Sequence, residues 1–288
     1  MEYEVIMKID TIGVVGLGFV GTAVLRGMES TVNVVTYDIA KECTEKSIED
    51  VVHKASVIFI CVPTPMNSDG TCNIDIIHSV LTEIDAVKTE NKPLCVIKST
   101  VPPKTSFRFA HAFPHLTIAF NPEFLTERNY IEDFKNQPYI VLGYTIHKTS
   151  VIPLIDVYQE RFPNTPIYVV ESAEAEMIKY VANTMLATKV TFLNEIYQIC
   201  EKAGINYDAI ANILQTADSR LGHTHWNVPG PDGKFGFGGT CFPKDLNALI
   251  QFASLNGHSA NFLNAVWEKN LEVRPEKDWE LDKGRAVT

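Results

Sequence analysis

The glycine triplet Gly16, Gly18 and Gly21 constrains this chain more than any other feature, because of what surrounds it. The β-rich run Thr11–Val15 precedes it and a helical pattern follows. A second β-rich run, 32–37, ends beside Asp38, an acidic residue about twenty positions past the glycines. GxGxxG alone is weak evidence, and a glycine-rich turn without a ligand has the same letters. Between a strand and a helix each residue has its own task. Gly16 makes a tight turn, Gly18 lets backbone approach a pyrophosphate, and Gly21 lets helix and strand pack closely. The helix N-terminus favours phosphate charge. Asp38 would accept from a ribose 2′-hydroxyl and repel a 2′-phosphate, which points to NAD rather than NADP.

The rest of the first half agrees. Further strands are expected at 57–62, 94–98, 116–120, 139–142 and 167–170, with helical stretches between them such as 74–88. These runs are continuously apolar and rich in Val and Ile, as strands covered on both faces are. The fold class is therefore α/β. A Rossmann-type doubly wound parallel sheet spans 1–171, with residues 1–10 read as a short lead-in to the first strand.

After Glu171 the pattern changes. Residues 172–203 contain neither Pro nor Gly, and Gly204 follows as a stop. A helix of that length runs on the order of 45 Å, long enough to organise a second domain or a dimer. An all-helical domain, 172–272, is built on it, with further helices at 207–217, 243–256 and 259–271. The remainder, 273–288, reads as a charged tail with little to bury, expected to fray.

Bulk properties exclude several classes. A formal net charge of -10 argues against a general nucleic-acid binder. No apolar run reaches the length of a membrane span. The six cysteines are irregularly spaced and several sit in apolar runs, which fits reduced thiols in a cytoplasmic protein better than a disulfide framework.

The stretch 236–245, Gly-Phe-Gly-Gly-Thr-Cys-Phe-Pro-Lys-Asp, carries the most chemistry. Its glycines permit close approach of a substrate. Pro243 suits a first helical turn, placing Cys241 at a helix N-terminus with Lys244 nearby; both features favour thiolate. A buried structural cysteine is the competing reading. Lys179 and Asn183 lie four apart on the long helix and share a face, although an exposed lysine is usually a solvated charge. Glu123 and Glu127 are likewise four apart and could be a solvated helix start. Thr64 and Thr100 fall at carboxyl ends of strands, where such sheets bind ligands. His223 and His225 lack the neighbours a metal needs, and no metal is expected.

Taken together, GVVGLGFVG, VPTP, KSTVPP, NPEFLTE, AEMIKYVANT, DSRLG and GFGGTCFPKD, in that order, resemble the UDP-glucose/GDP-mannose 6-dehydrogenase family. The resemblance spans about Thr11 to Leu271. It implies NAD-dependent double oxidation of C6 of a nucleotide sugar, through a thiohemiacetal and a thioester on Cys241. It implies that Lys179 and Asn183 stabilise an oxyanion, and that Asp245, Glu123 and Thr100 position water and move protons. It places Glu127 near cofactor and substrate, Phe237 and Gly238 at the substrate, and Arg220 at a neighbouring subunit's site in a homodimer built on the long helix. The family's nucleotide-gripping third domain has no counterpart here, so a separate chain supplying nucleotide binding belongs to the same expectation. Two other readings stand beside it: a non-catalytic NAD-binding dimer module, and a β-hydroxyacid dehydrogenase-like enzyme, which needs no cysteine.

Overall fold

The computed structural model describes residues 9–90 and 92–288; most of the expected lead-in lies outside them. By compactness the chain forms two units, 1–64 with 74–179, and 65–73 with 180–288. The segment 65–73 thus belongs with the second unit although it interrupts the first in sequence.

In the first unit β1 (Thr11–Val15), β2 (Asn33–Tyr37), β3 (Val57–Ile60), β4 (Leu94–Ile97), β5 (Thr117–Phe120), β6 (Ile140–Tyr144) and β7 (Ile167–Glu171) form one sheet in the order β2-β1-β3-β4-β5-β6-β7. The intervening helices are α1 (Phe19–Met28), α2 (Ile48–Lys54), α3 (Asp75–Ala86), α4 (Thr105–Ala112), α5 (Tyr130–Lys135) and α6 (Ile152–Arg161). β3 shows why continuous apolar runs form such strands. Val57 and Phe59 join one core cluster and Ile58 and Ile60 the other, and all four are fully buried. The expected all-parallel sheet needs one correction: β6 runs antiparallel to β5, while β6 and β7 are parallel. A strand buried on both faces carries the same apolar pattern in either direction, so periodicity could not report this reversal.

The long helix α7 (Ser172–Ala203) has the expected bounds. Its first two turns, through Lys179, belong to the first unit and the remainder to the second. The second unit adds α8 (Tyr207–Ala217), α9 (Phe242–Leu255) and α10 (Asn261–Val273). Its cores gather Ala187, Phe237, Leu246 and Val266 in one cluster, and Leu193, Tyr207 and Trp226 in another.

The tail expected to fray does not. Trp279 is buried, its ring 5.2 Å from that of Trp267, and Ala286 is buried as well. The Ala286 carbonyl accepts from the Met66 amide at 2.9 Å, and the Thr288 amide donates to the Met66 carbonyl at 3.0 Å. Overall composition understated a few well-placed residues. Among the described residues no helix is long and apolar enough to cross a membrane.

Candidate functional site

At the end of β1 the chain turns through Gly16 with φ of +92°, where a Cβ would stand 2.8 Å from the Cys61 carbonyl oxygen. A Cβ at Gly21 would overlap the Gly16 carbonyl. Gly18 caps α1 and has nothing within 4 Å of its Cβ position, so its outer face is open. The first turn of α1 has no acidic residue and no side-chain cap, leaving its positive end available. Asp38 Oδ2 accepts the Leu17 amide at 2.6 Å, and Oδ1 accepts the amides of Ala40 and Lys41 at 2.8 and 3.1 Å. Burial raises its pKa, but these amides and Lys41 outweigh it and hold the carboxyl low. A carboxylate offers about four lone-pair sites, so this one still has capacity for a ribose hydroxyl. The loop therefore fits an NAD diphosphate and adenosine ribose. Thr64 is buried at the β3 exit, and its hydroxyl donates to the Thr100 carbonyl at 2.9 Å.

The first unit also assembles a buried charge cluster. Glu123 is not at a helix start, as its spacing to Glu127 suggested; it is buried in the loop after β5, and Glu127 is exposed. Lys179 Nζ meets Glu123 Oε1 at 2.9 Å, and the Leu125 amide donates to Oε2 at 2.6 Å. Burial raises the Glu123 pKa, and Lys179, the Leu125 amide and Lys98 more than reverse it, so the carboxyl stays ionised. Lys98 was not singled out in sequence, although a lysine closing the apolar run Leu-Cys-Val-Ile was a signal. It is buried, donates to Asn121 Oδ1 at 2.8 Å, and is pushed down to about 8, chiefly by burial. A cavity of about 300 Å³, lined in part by Lys98, Glu123, Phe134 and Tyr139, adjoins this cluster.

The second unit holds the sulfur. Cys241 is half-buried at the N-cap of α9, with Pro243 in the first turn as its position predicts. The six cysteines are all thiols. Lys244, expected to serve the thiol, directs its ammonium to Asp245 Oδ1 at 2.5 Å, while Asn183 Nδ2 donates to Asp245 Oδ2 at 2.5 Å. Burial lowers the Lys244 pKa, but Asp245, then Cys72 and Cys241, overcome this and leave it raised. The result is a buried carboxylate with both oxygens engaged, one turn beyond the thiol. The Phe237 ring is in the core, 6.1 Å from Phe242 and 6.3 Å from Trp267, rather than presented to a ligand. At Gly238 a Cβ would stand 2.5 Å from Arg274 Nε. Arg220 is exposed and pairs with Asp218 at 2.6 Å. Among the described residues no cluster of His, Cys, Asp and Glu could hold a metal.

Residues 40–162 match the NAD binding domain of the UDP-glucose/GDP-mannose dehydrogenase family, and residues 173–272 match its central domain. A UDP-glucose 6-dehydrogenase of Bacillus subtilis (strain 168) is 36% identical over 235 residues, covering 78% of this chain and 51% of the relative. The chain thus spans about half the length of that relative. A UDP-glucose dehydrogenase from the archaeon Pyrobaculum islandicum superposes with a TM-score of 0.80 at 28% identity, covering 94% of this chain and 70% of the other. The 3-hydroxyisobutyrate dehydrogenase of Mycobacterium tuberculosis reaches 0.71 at 17% identity, covering 93% and 94%, a likeness of fold alone.

Proposed function

The chain belongs to the UDP-glucose/GDP-mannose dehydrogenase family, and from that premise we propose that it oxidises C6 of a nucleotide sugar, UDP-glucose foremost, to the uronic acid. Each of the two oxidations would pass its hydride to a separate NAD, the reduced one leaving the glycine turn and Asp38 before a second binds. The chain's own residues do the rest. After the first oxidation the Cys241 thiolate adds to the C6 aldehyde, giving a thiohemiacetal. Loss of the second hydride leaves a thioester, and attack by water releases the acid and restores the thiolate. Lys179 and Asn183 supply preorganised donors where oxyanion charge develops. Glu123, ionised beside Lys179, takes a proton from the attacking water, with Thr100 and Asp245 orienting it.

The observation that carries this reading is the arrangement around α9: a thiol at its N-cap, with a buried Asp245 one turn on that holds Lys244 and Asn183. A β-hydroxyacid oxidation would need no such thiol. The partner we propose is a second copy of the chain. Val181, Met185, Phe192 and Ile199 are exposed along α7 at spacings of four and seven, one apolar stripe.

The test is NADH formation with UDP-glucose, GDP-mannose and UDP-N-acetyl sugars under excess NAD. Two NADH per sugar consumed supports the double oxidation, and Cys241→Ser should then form no acid. Acid formation by that variant would overturn the mechanism. NAD binding without NADH from any sugar would instead favour a non-catalytic module or the need for a separate nucleotide-binding chain.

A further inference from the structure

Residues 235–239, just before the thiol, hold three of the second unit's glycines and should be loose by composition, since glycine loses the most freedom on ordering. The loop is instead fastened by side chains at the peptides of 235, 236, 237 and 239. Asn270 is fully buried on α10; its Oδ1 accepts the Phe237 amide at 2.7 Å and its Nδ2 donates to the Phe237 carbonyl at 2.9 Å. Four residues on, buried Arg274 donates to the Phe235 carbonyl at 3.2 Å and to Asp232 at 2.7 Å. Four further on, Asp278 receives Arg274 in a two-pronged pair at 2.7 and 3.0 Å and accepts the Gly239 amide at 3.4 Å. Asn194 Oδ1 accepts the Gly236 amide at 2.9 Å.

Two consequences follow. The amides of Gly236, Phe237 and Gly239 are occupied by side-chain oxygens, so they do not form an anion-binding nest. And a charge-assisted, bidentate Arg–Asp pair is geometrically specific as well as strong. Here it presses against Gly238, where a Cβ would stand 2.5 Å from Arg274 Nε.

We propose that Asn270, Arg274 and Asp278 are positioning residues that set how Cys241 is presented, by fixing the backbone of the glycine loop ahead of it. None touches the reacting atoms; they act through the peptides of 235–239. The catalytic consequence rests on the proposed function, but the positioning itself does not.

The experiment uses the full chain and two readouts. The first is the rate at which iodoacetamide alkylates Cys241 in the native protein, followed by mass spectrometry of the peptide that contains it. The second is kcat and KM for NADH formation. Asp278→Ala should speed alkylation severalfold and lower kcat about 10-fold to 100-fold, the size of effect a misplaced reacting group produces, with KM for NAD unchanged. Asp278→Asn, which keeps one acceptor but loses the two-pronged ionic pair with Arg274, should fall between the parent and Asp278→Ala. Parental alkylation in Asp278→Ala, whatever its thermal stability, would overturn the proposal. If Asp278→Ala does not fold, Gly238→Ala, whose methyl meets Arg274, carries the same test with the same two outcomes. A parent chain that forms no NADH would count against the oxidation reading alone, because alkylation still decides the positioning.

Discussion

Two lysine pairs to buried carboxylates, one in each unit, look alike and were not equally visible. Lys244 and Asp245 are chain neighbours, so the dipeptide announces the pair, and the structure adds Asn183 on the other carboxylate oxygen. Lys179 and Glu123 come from distant elements, and the Leu125 amide completes the second carboxylate. In both cases α7 contributes a donor, Lys179 to Glu123 and Asn183 to Asp245. The two donors are one helical turn apart on α7, Lys179 in the first unit and Asn183 in the second. A buried charge is tolerated only when it is paired and hydrogen-bonded.

Breaking the second-unit pair should have the largest effect. Asp245→Ala leaves the partly buried Lys244 ammonium without its carboxylate and removes the acceptor of the Asn183 amide. Losing one partner of a buried pair costs about 3–5 kcal/mol. We expect a loss of that size in urea unfolding, together with loss of acid formation. A variant within about 1 kcal/mol of the parent would mean that Lys244 swings to solvent, and the pair would then be a surface pair in energetic terms.

Breaking the first-unit pair tests chemistry as well as stability. Lys179→Ala should lower kcat by about 10²–10³, the usual cost of an oxyanion donor. It should also raise the Glu123 pKa, since Lys179 is the main influence opposing burial there. Base catalysis by Glu123 then needs a higher pH, so the acidic limb of the rate profile should move upward. An unshifted limb with full turnover would remove Lys179 from the site.

The contrast also marks what could be read in advance. The bounds of β1 and α7, the glycine turn with Asp38, and Cys241 at the N-cap of α9 follow from local rules of turns, caps and periodicity. Glu123 was missed as a buried loop residue because its partner Lys179 lies far along the chain, and no spacing rule connects them. The direction of β6 was missed because burial on both faces erases it. Arg274 and Asp278 were missed because a charged segment with one proline reads as a tail, when Arg274 is spent on a loop more than thirty residues earlier; Asn270 was missed because nothing within its expected helix points to that loop. In each case the missing information was a non-local pairing.

A third buried carboxylate sharpens the comparison, because no lysine among the described residues pairs with it. Glu176 on α7 is fully buried and accepts the Ser106 amide at 2.7 Å at the start of α4. Burial raises its pKa, and hydrogen bonds from Ser106, Lys104 and Thr105 only partly offset this, so it stands at about 7 against an ordinary value of 4.5. Glu123, equally buried but paired with Lys179, is lowered instead. The sign of the resulting pH dependence is fixed. Below 4.5 the group is protonated in both folded and unfolded chains and costs nothing. Between 4.5 and about 7 the unfolded chain ionises while the folded one keeps its proton, so stability falls as pH rises. Above that the full penalty, about 3 kcal/mol, persists. Glu176→Gln removes the titration, so its stability relative to the parent should improve by about that amount between pH 4.5 and about pH 8. Other titrating groups cancel in the difference between the two proteins. A flat difference in urea unfolding across that range would show that the α4 amides hold the ionised carboxylate as well as water does, and that a helix terminus can stand in for the lysine that Glu123 requires.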